Sequence, residues 1–330
     1  MPAPASPSRE PHELVSVAGS DAGEVVTTEV PAVLVGVRTD RGVAMVADVS
    51  RADAAALIAA GRVLVDGEAV TLGRTPLRQG ATLTVRLQPA TAGGPEAEAG
   101  VRFEVVHADE SVAVIDKPAG LVVHPGAGHD SGTLVGGLLA RFPELAGLVE
   151  AGVCAPDRPG IVHRLDKGTS GLLAVARTAD AYHSLVEQLA TRAMERRYVA
   201  LVAGHVADDR GVVDAPIGRS ARTPTKMAVT VAGKPARTRY SVLERRGDGP
   251  EATTLLEVAL DSGRTHQIRV HMAAIGHPVV GDARYGRSDA RLGSGRFFLH
   301  AGALAFDHPA TGERMEFSSP LPDDLRRYLG

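Results

Sequence analysis

Residues 160–178 read GIVHRLDKGTSGLLAVART, and the way this stretch turns decides the fold. Ile161 and Val162 lead in, Leu172 to Val175 lead out, and a Gly/Ser/Thr cluster lies between them. Short β-favouring runs on either side of such a cluster predict strand, loop, strand. The loop gathers Arg164, Asp166 and Lys167, and Gly168 and Gly171 let its backbone turn sharply or approach a neighbour closely. A carboxylate set between two cations is favoured in its ionised form. That suits a nucleophile or base that must carry charge at neutral pH. Taken alone, the tetrapeptide RLDK reads better as a solvated surface turn.

Working outward changes that reading. IDKPAGLVVHPG (115–126) precedes the loop; RRYVALV (196–202), SGRTHQIRVH (262–271) and GHPVVGDARYG (276–286) follow it. With HRLDKGTSGLL these stretches stand in the order found in the RluA-type pseudouridine synthases, whose HRLDxxTSGL signature surrounds a catalytic aspartate. The chain resembles that family from about residue 101 to 329, and within it the members that act on large-subunit ribosomal RNA. Gly168 departs from the pattern, standing where the family usually has Asp.

The resemblance implies an RNA pseudouridine synthase, an isomerase that acts on a uridine flipped out of its stack. It makes Asp166 the catalytic carboxylate, either a nucleophile at C1′ of the ribose or the base that removes the C2′ proton. Arg269 matches the basic residue that pairs with that Asp, and Tyr198 the active-site Tyr that stacks on the base. Arg164 matches the residue that fills the gap left by the flipped base, a role suited to a flat, charged guanidinium. Lys167, Arg264, His266 and Gln267 stand in the matched motifs as candidates for substrate contact. The implied chemistry needs no redox change, metal or external donor, so no cofactor and no metal are expected. The implied partner is RNA, ribosomal RNA first, naked or within a pre-ribosomal particle. A noncatalytic RNA-binding or ribosome-assembly factor retaining the fold is the alternative.

A chain of 330 residues predicts two domains. The expected layout is an irregular or disordered tail (1–29), a small α/β module (30–88), a Gly/Pro/Ala-rich linker (89–100) and a catalytic domain (101–330). In the module, a helix over 52–60 has Ser50 to cap it and Gly61 to end it. RVLVDGEAV then reads as a hairpin around Asp-Gly. This pattern resembles the S4 RNA-binding module, partly degenerate because Asp53 and alanines replace its usual basic residues. In the catalytic domain, 131–142 presents Leu134, Val135, Leu138, Leu139 and Phe142 on one face at helical spacing. Thr178 caps a helix reaching Met194 that buries Leu185, Val186 and Leu189, and 267–274 is helical with Ile268, His271, Met272 and Ile275 on one face. PDDLRRYL is a capped C-terminal helix. Mixed, mainly antiparallel strands with few helices make an α+β domain.

Composition narrows the function. Net charge is −3, which argues against a protein that coats nucleic acid nonspecifically. Yet residues 217–246 hold eight Lys/Arg against one acid, Glu244, a local phosphate-binding candidate. With 3% aromatics and no Trp, a base-stacking sheet of the RRM kind is not expected. The single Cys154 fits a reducing compartment, and no signal peptide or membrane span is legible. A cytoplasmic monomer is therefore expected. His266 and His271, five apart, sit on different helix faces and read as structural histidines, not a metal pair. The glycines of 126–132 miss the GxGxxG spacing of a dinucleotide loop by one place.

Overall fold

A computed structural model describes residues 16–18, 25–30, 34–47, 49, 51–86, 94–125, 131–220, 223 and 226–330. The chain divides into two compact units, Met1–Gly94 and Pro95–Gly330. In the first, β1 (Ser16–Ala18), β2 (Val25–Glu29), β3 (Val63–Val65), β4 (Glu68–Ala69) and β5 (Thr82–Arg86) form an antiparallel sheet in the order β1-β2-β5-β3-β4. Val43 of α1 (Thr39–Val46) and Ala54 and Ile58 of α2 (Arg51–Ala59) pack on Val63, Leu83 and Val85 of that sheet. Asp66 and Gly67 both have positive φ, 54° and 84°, the two-residue turn that Asp-Gly favours between β3 and β4. Gly61, at φ 68°, follows α2 as expected, while Ser50 lies outside the described residues. One expectation is corrected: β2 falls within 1–29, which was read as irregular. Its β-branched VVTTE run pairs along its whole length with β5, and that pairing orders it.

The second unit runs through β6 (Glu104–Ala108), β7 (Val112–Lys117), α3 (Leu134–Arg141), α4 (Leu145–Glu150), β8 (Ser170–Ala176), α5 (Ala179–Thr191) and β9 (Glu195–Ala203). It continues with β10 (Arg210–Asp214), β11 (Ile217–Arg219), β12 (Met227–Val229), β13 (Arg237–Arg246), β14 (Thr253–Leu260) and α6 (Gln267–Ala274). β15 (Leu299–Asp307), β16 (Arg314–Ser318) and α7 (Asp323–Leu329) close it. A nine-stranded sheet has the order β10-β13-β14-β9-β15-β8-β7-β6, with β16 paired to β15, and β11 and β12 form a separate ribbon. Within the nine-stranded sheet only β8 and β15 run parallel. This is the mixed, mainly antiparallel α+β architecture expected.

Strand alternation divides the core between the two faces of the sheet. Ala113 and Ile115 of β7 join Leu134 and Leu138 of α3, Leu145 of α4 and Met272 of α6 in one cluster. Val112 and Val114 join Leu185 of α5 in another. Thr133 caps α3 by accepting from Gly136 N at 3.2 Å, and Thr178 caps α5 by accepting from Ala181 N at 3.2 Å.

The differences from expectation are local. α5 stops before Met194 because Arg192 turns left-handed, at φ 67°. Val186 is exposed, and Gln188 faces inward instead, its amide bonded to both the N–H and the C=O of Asp307 at 2.7 Å. Ile275 is likewise exposed. The lead-in strand at 161–162 shrinks to one bridge, Ile161 to Val175. α7 carries Asp323 and Asp324 in its first turn, but its N-cap, Pro322, makes no side-chain cap. Residues 95–100 of the expected linker belong to the second unit, where the Glu98 carboxylate accepts from Gly132 N at 2.8 Å. Among the described residues no helix is long and apolar enough to cross a membrane.

Candidate active site

The loop leading into β8 is fixed from several sides. Gly171 has φ 112°, and a Cβ there would lie 2.3 Å from the Ala301 carbonyl oxygen, so only glycine lets β8 begin beside β15. At Gly168 a Cβ would lie 2.5 Å from both the Gly295 carbonyl oxygen and the Phe297 ring. The missing side chain at this departure from the family pattern is thus matched by close packing. Buried Arg296 donates to the Gly168 carbonyl at 2.6 Å, to Ser170 Oγ at 3.0 Å and to Asp324 at 2.7 Å. Lys117 has no solvent exposure, and its Nζ donates to the Pro118 and Leu121 carbonyls at 2.9 Å and lies 3.5 Å from that of Lys167. Burial pulls its pKa down to about 7, against the opposing charges of Asp166 and Asp116.

Asp166 sits in this loop, its side chain 16% exposed, and accepts from Arg269 Nη1 at 2.8 Å. Arg269 reaches it from the first turn of α6. The same guanidinium donates Nε and Nη2 to the two oxygens of Asp282, at 2.6 and 2.9 Å. Its plane lies by Phe297 and Tyr285, 4.3 and 5.2 Å from their ring centroids. Burial opposes the Arg269 charge, but the Asp282 hydrogen bonds and the Asp166 charge outweigh it and raise the pKa. Asp282, 1% exposed, also accepts from the backbone N–H of Arg284 and Tyr285. The chain Asp166–Arg269–Asp282 is therefore a buried, bidentate-anchored ion triad.

The other residues singled out in the sequence distribute unevenly around it. Tyr198 is buried on β9 and lines the same cleft as Asp166. Arg164 stands exposed at that cleft, without a hydrogen bond or ion pair among the described residues. His266 adopts a left-handed φ of 57°, places Nε2 3.9 Å from Asp166, and bonds Nδ1 to Tyr285 Oη at 2.8 Å. Burial lowers its pKa. Arg264 lines the cleft and donates Nε to the Pro235 carbonyl at 3.1 Å. Gln267 is fully engaged inside the protein: Oε1 accepts from Ser262 and Arg264, and Nε2 donates to Arg237 and Thr238. Lys167 is exposed and does not line the cleft, while its carbonyl accepts from Gly120 N at 2.7 Å. His271 is bonded on both nitrogens, to Thr238 and the Ala215 carbonyl.

The cleft has a volume of about 690 Å³ and is lined by Arg158, Arg164, Arg192, Arg196, Arg237 and Arg264 against Asp166, Asp214 and Asp261. Such a surplus of guanidinium suits an anionic polymer. The basic run of 217–246 is partly neutralised: Arg237 and Arg239 pair with Asp261, and Arg245 with Asp209. Sequence reasoning missed Lys117, Arg296 and Asp282 as site residues. Lys117 and Asp282 lie in matched motifs, and Arg296 carried no signal.

Residues 111–274 match the family model described as RNA pseudouridylate synthase. The ribosomal large subunit pseudouridine synthase D of Pseudomonas aeruginosa is 45% identical over 310 residues, 90% of this chain and 92% of that protein. The protein of the same name from Nitrosomonas europaea is 42% identical over 323 residues, 95% and 90% of the two chains. The uncharacterized RNA pseudouridine synthase YlyB of Bacillus subtilis is 45% identical over 282 residues, 86% and 89% of the two chains. Among solved structures, human RNA pseudouridylate synthase domain containing 1 superposes with a TM-score of 0.52 at 28% identity, covering 69% of this chain and 86% of that one.

Proposed function

Because the chain belongs to the RNA pseudouridylate synthase family, we propose that it converts particular uridines of large-subunit ribosomal RNA to pseudouridine, with Asp166 as the catalytic carboxylate. One observation carries the reading: Arg269 ties Asp166 to buried Asp282 beside an arginine-rich cleft. A clamped guanidinium holds a carboxylate aimed in one direction without consuming it.

The reaction breaks the N1–C1′ bond of uridine, turns the uracil and joins C5 to C1′. The C5 proton leaves and N1 ends protonated, so no net oxidation and no external donor are involved. Asp166 acts at the ribose, either as nucleophile at C1′ or as the base that takes the C2′ proton. The base must first leave its stack, at a cost of a few kcal/mol. Exposed Arg164 fills the space it vacates, and Tyr198 stacks on the extruded uracil. Arg264 and His266 contact the RNA within the cleft, Lys167 reaches it from outside, and Gln267 holds the Arg264 loop through its internal hydrogen bonds. The first unit serves as an S4-like RNA-binding module of modest strength. One chain carries all the groups named, which supports a working monomer, and ribosomal RNA as the substrate supports the cytoplasm as its place of work.

The test compares pseudouridine maps of ribosomal RNA from a strain lacking the protein and from its parent. Loss of discrete large-subunit positions, restored by the wild-type chain, is expected; identical maps overturn the proposal.

A further inference from the structure

Two groups in the cleft wall lie outside the triad, and each keeps one buried nitrogen without a hydrogen-bond partner among the described residues. Arg196, on β9, is 8% exposed; its Nε is buried without a hydrogen bond, and no carboxylate among the described residues forms an ion pair with it. Asp261, the acid whose charge it feels, already pairs with Arg237 at 3.4 Å and Arg239 at 2.8 Å. The guanidinium lies against bare backbone, since a Cβ on Gly263 would come 2.9 Å from Nη1. His163 is the second group. Its Nε2 accepts from Ala174 N at 3.0 Å, so in the neutral ring the proton sits on Nδ1, which is buried and unpartnered. Burial and the Arg196 charge hold the ring neutral, with a pKa of about 3.

A buried cation without a counter-ion, with an orphan N–H near it, is unfavourable in the free protein. Native structures keep such groups where a ligand completes them. Both residues line the cleft that also holds Asp166. A uracil carbonyl would satisfy the imidazole N–H but leave the guanidinium charge uncompensated. An RNA phosphodiester supplies both an acceptor and a negative charge. We propose that Arg196 and His163 form a phosphate-receiving site, which takes a backbone phosphodiester flanking the flipped uridine. The site rests on the RNA-modifying reading given above. It anchors the strand on the cleft wall while the Asp166 loop handles the sugar.

The probe is the shortest unmodified large-subunit rRNA transcript in which the wild-type chain forms pseudouridine. Its affinity is measured by fluorescence anisotropy across a salt series, for wild type, Arg196→Met, Arg196→Lys and His163→Gln. Arg196→Met should bind about 10- to 100-fold more weakly, the worth of one charge-assisted hydrogen-bonded contact. Its log K against log salt slope should shrink by about 0.7, one single-strand phosphate. Its melting temperature should hold or rise, because an apolar side chain replaces an unpaired buried cation. Arg196→Lys should recover the slope, and His163→Gln should lose affinity with the slope unchanged. A neutral methylphosphonate at one of the two phosphates flanking the target uridine should cost the wild type as much as Arg196→Met does, with no further loss in combination. Equal methylphosphonate effects at all positions, or a full salt slope in folded Arg196→Met, overturn the site even if that variant's stability changes. Absence of pseudouridine both in every transcript and in large-subunit particles from the deletion strain overturns the functional reading itself, and the site with it.

Discussion

Replacing Asp282 by Asn removes one charge from the buried triad and should reduce both stability and rate. Asp282 takes two hydrogen bonds from Arg269, at 2.6 and 2.9 Å, and the N–H groups of Arg284 and Tyr285 at 3.0 and 3.3 Å. Asn can keep the oxygen that serves Nη2 and the backbone, but its NH₂ then faces the Nε–H of Arg269, donor against donor. Breaking one side of a buried ion pair costs about 3–5 kcal/mol; with Asp166 still present as counter-charge, the low end applies, about 3 kcal/mol. For a unit of this size that lowers the melting temperature by roughly 6–12 °C. Arg269 then shifts on Asp166, and a displacement of about 1 Å costs on the order of 100-fold in rate. Urea denaturation and single-turnover pseudouridine formation read the two effects. Replacing both partners, Arg269→Met with Asp282→Leu, should recover only part of the stability and none of the activity: an apolar pair substitutes for the buried ion pair, but Leu leaves the N–H groups of Arg284 and Tyr285 without their acceptor. An Asp282→Asn protein with wild-type melting and wild-type turnover would show that the triad does not hold the site.

Further expectations concern flipping, the first unit and acid. Arg164→Ala should be slow on a uridine held in a stable stem and nearly normal on the same uridine in a loose loop, where little stacking must be replaced. Arg164→Lys should rescue poorly because it lacks the stacking plane; equal losses on both RNAs, restored by Lys, would refute the flipping role. Removing residues 1–94 should weaken RNA binding by less than about 3 kcal/mol, a few phosphate contacts; complete loss of binding by a folded remainder would show the module dominates. Acid should destabilise the fold through His163. The unfolded ring takes a proton near pH 6.5 and the folded ring only near 3, so the unfolded state binds more protons between those values and stability falls as pH drops through that window. From pH 7 to pH 5 this amounts to about 2 kcal/mol, and His163→Gln should lose that part of the slope in denaturation curves; an unchanged slope would contradict it.

Much of the site was legible because its residues cluster in short motifs. HRLDKGTSGLL supplies Asp166, and QIR places Arg269 in the first turn of a helix that forms over the residues expected, Gln267–Ala274. What sequence could not show was tertiary. A cation bonded to Asp166 is Arg269, more than a hundred residues away in sequence. Asp282 looks like any turn acid until Arg269 is seen against it. Gln267 reads as a substrate contact by its motif, but burial commits its amide to Ser262, Arg237 and Thr238. Val186 fits the helical period of α5, yet the C-terminal end of β15 draws Gln188 inward to bond Asp307. Register and neighbours decide such cases, and periodicity carries neither.

The central claim is that the Asp166 carboxylate carries out the isomerisation. It is tested most directly by tritium release from RNA labelled at C5 of uridine, since forming the new C5–C1′ bond expels that hydrogen. Asp166→Asn keeps the side-chain shape and removes the charge. The variant should melt near the wild type, bind the same transcript with most of its affinity, and release no tritium in a single turnover. Tritium release by Asp166→Asn at the wild-type rate would contradict the account.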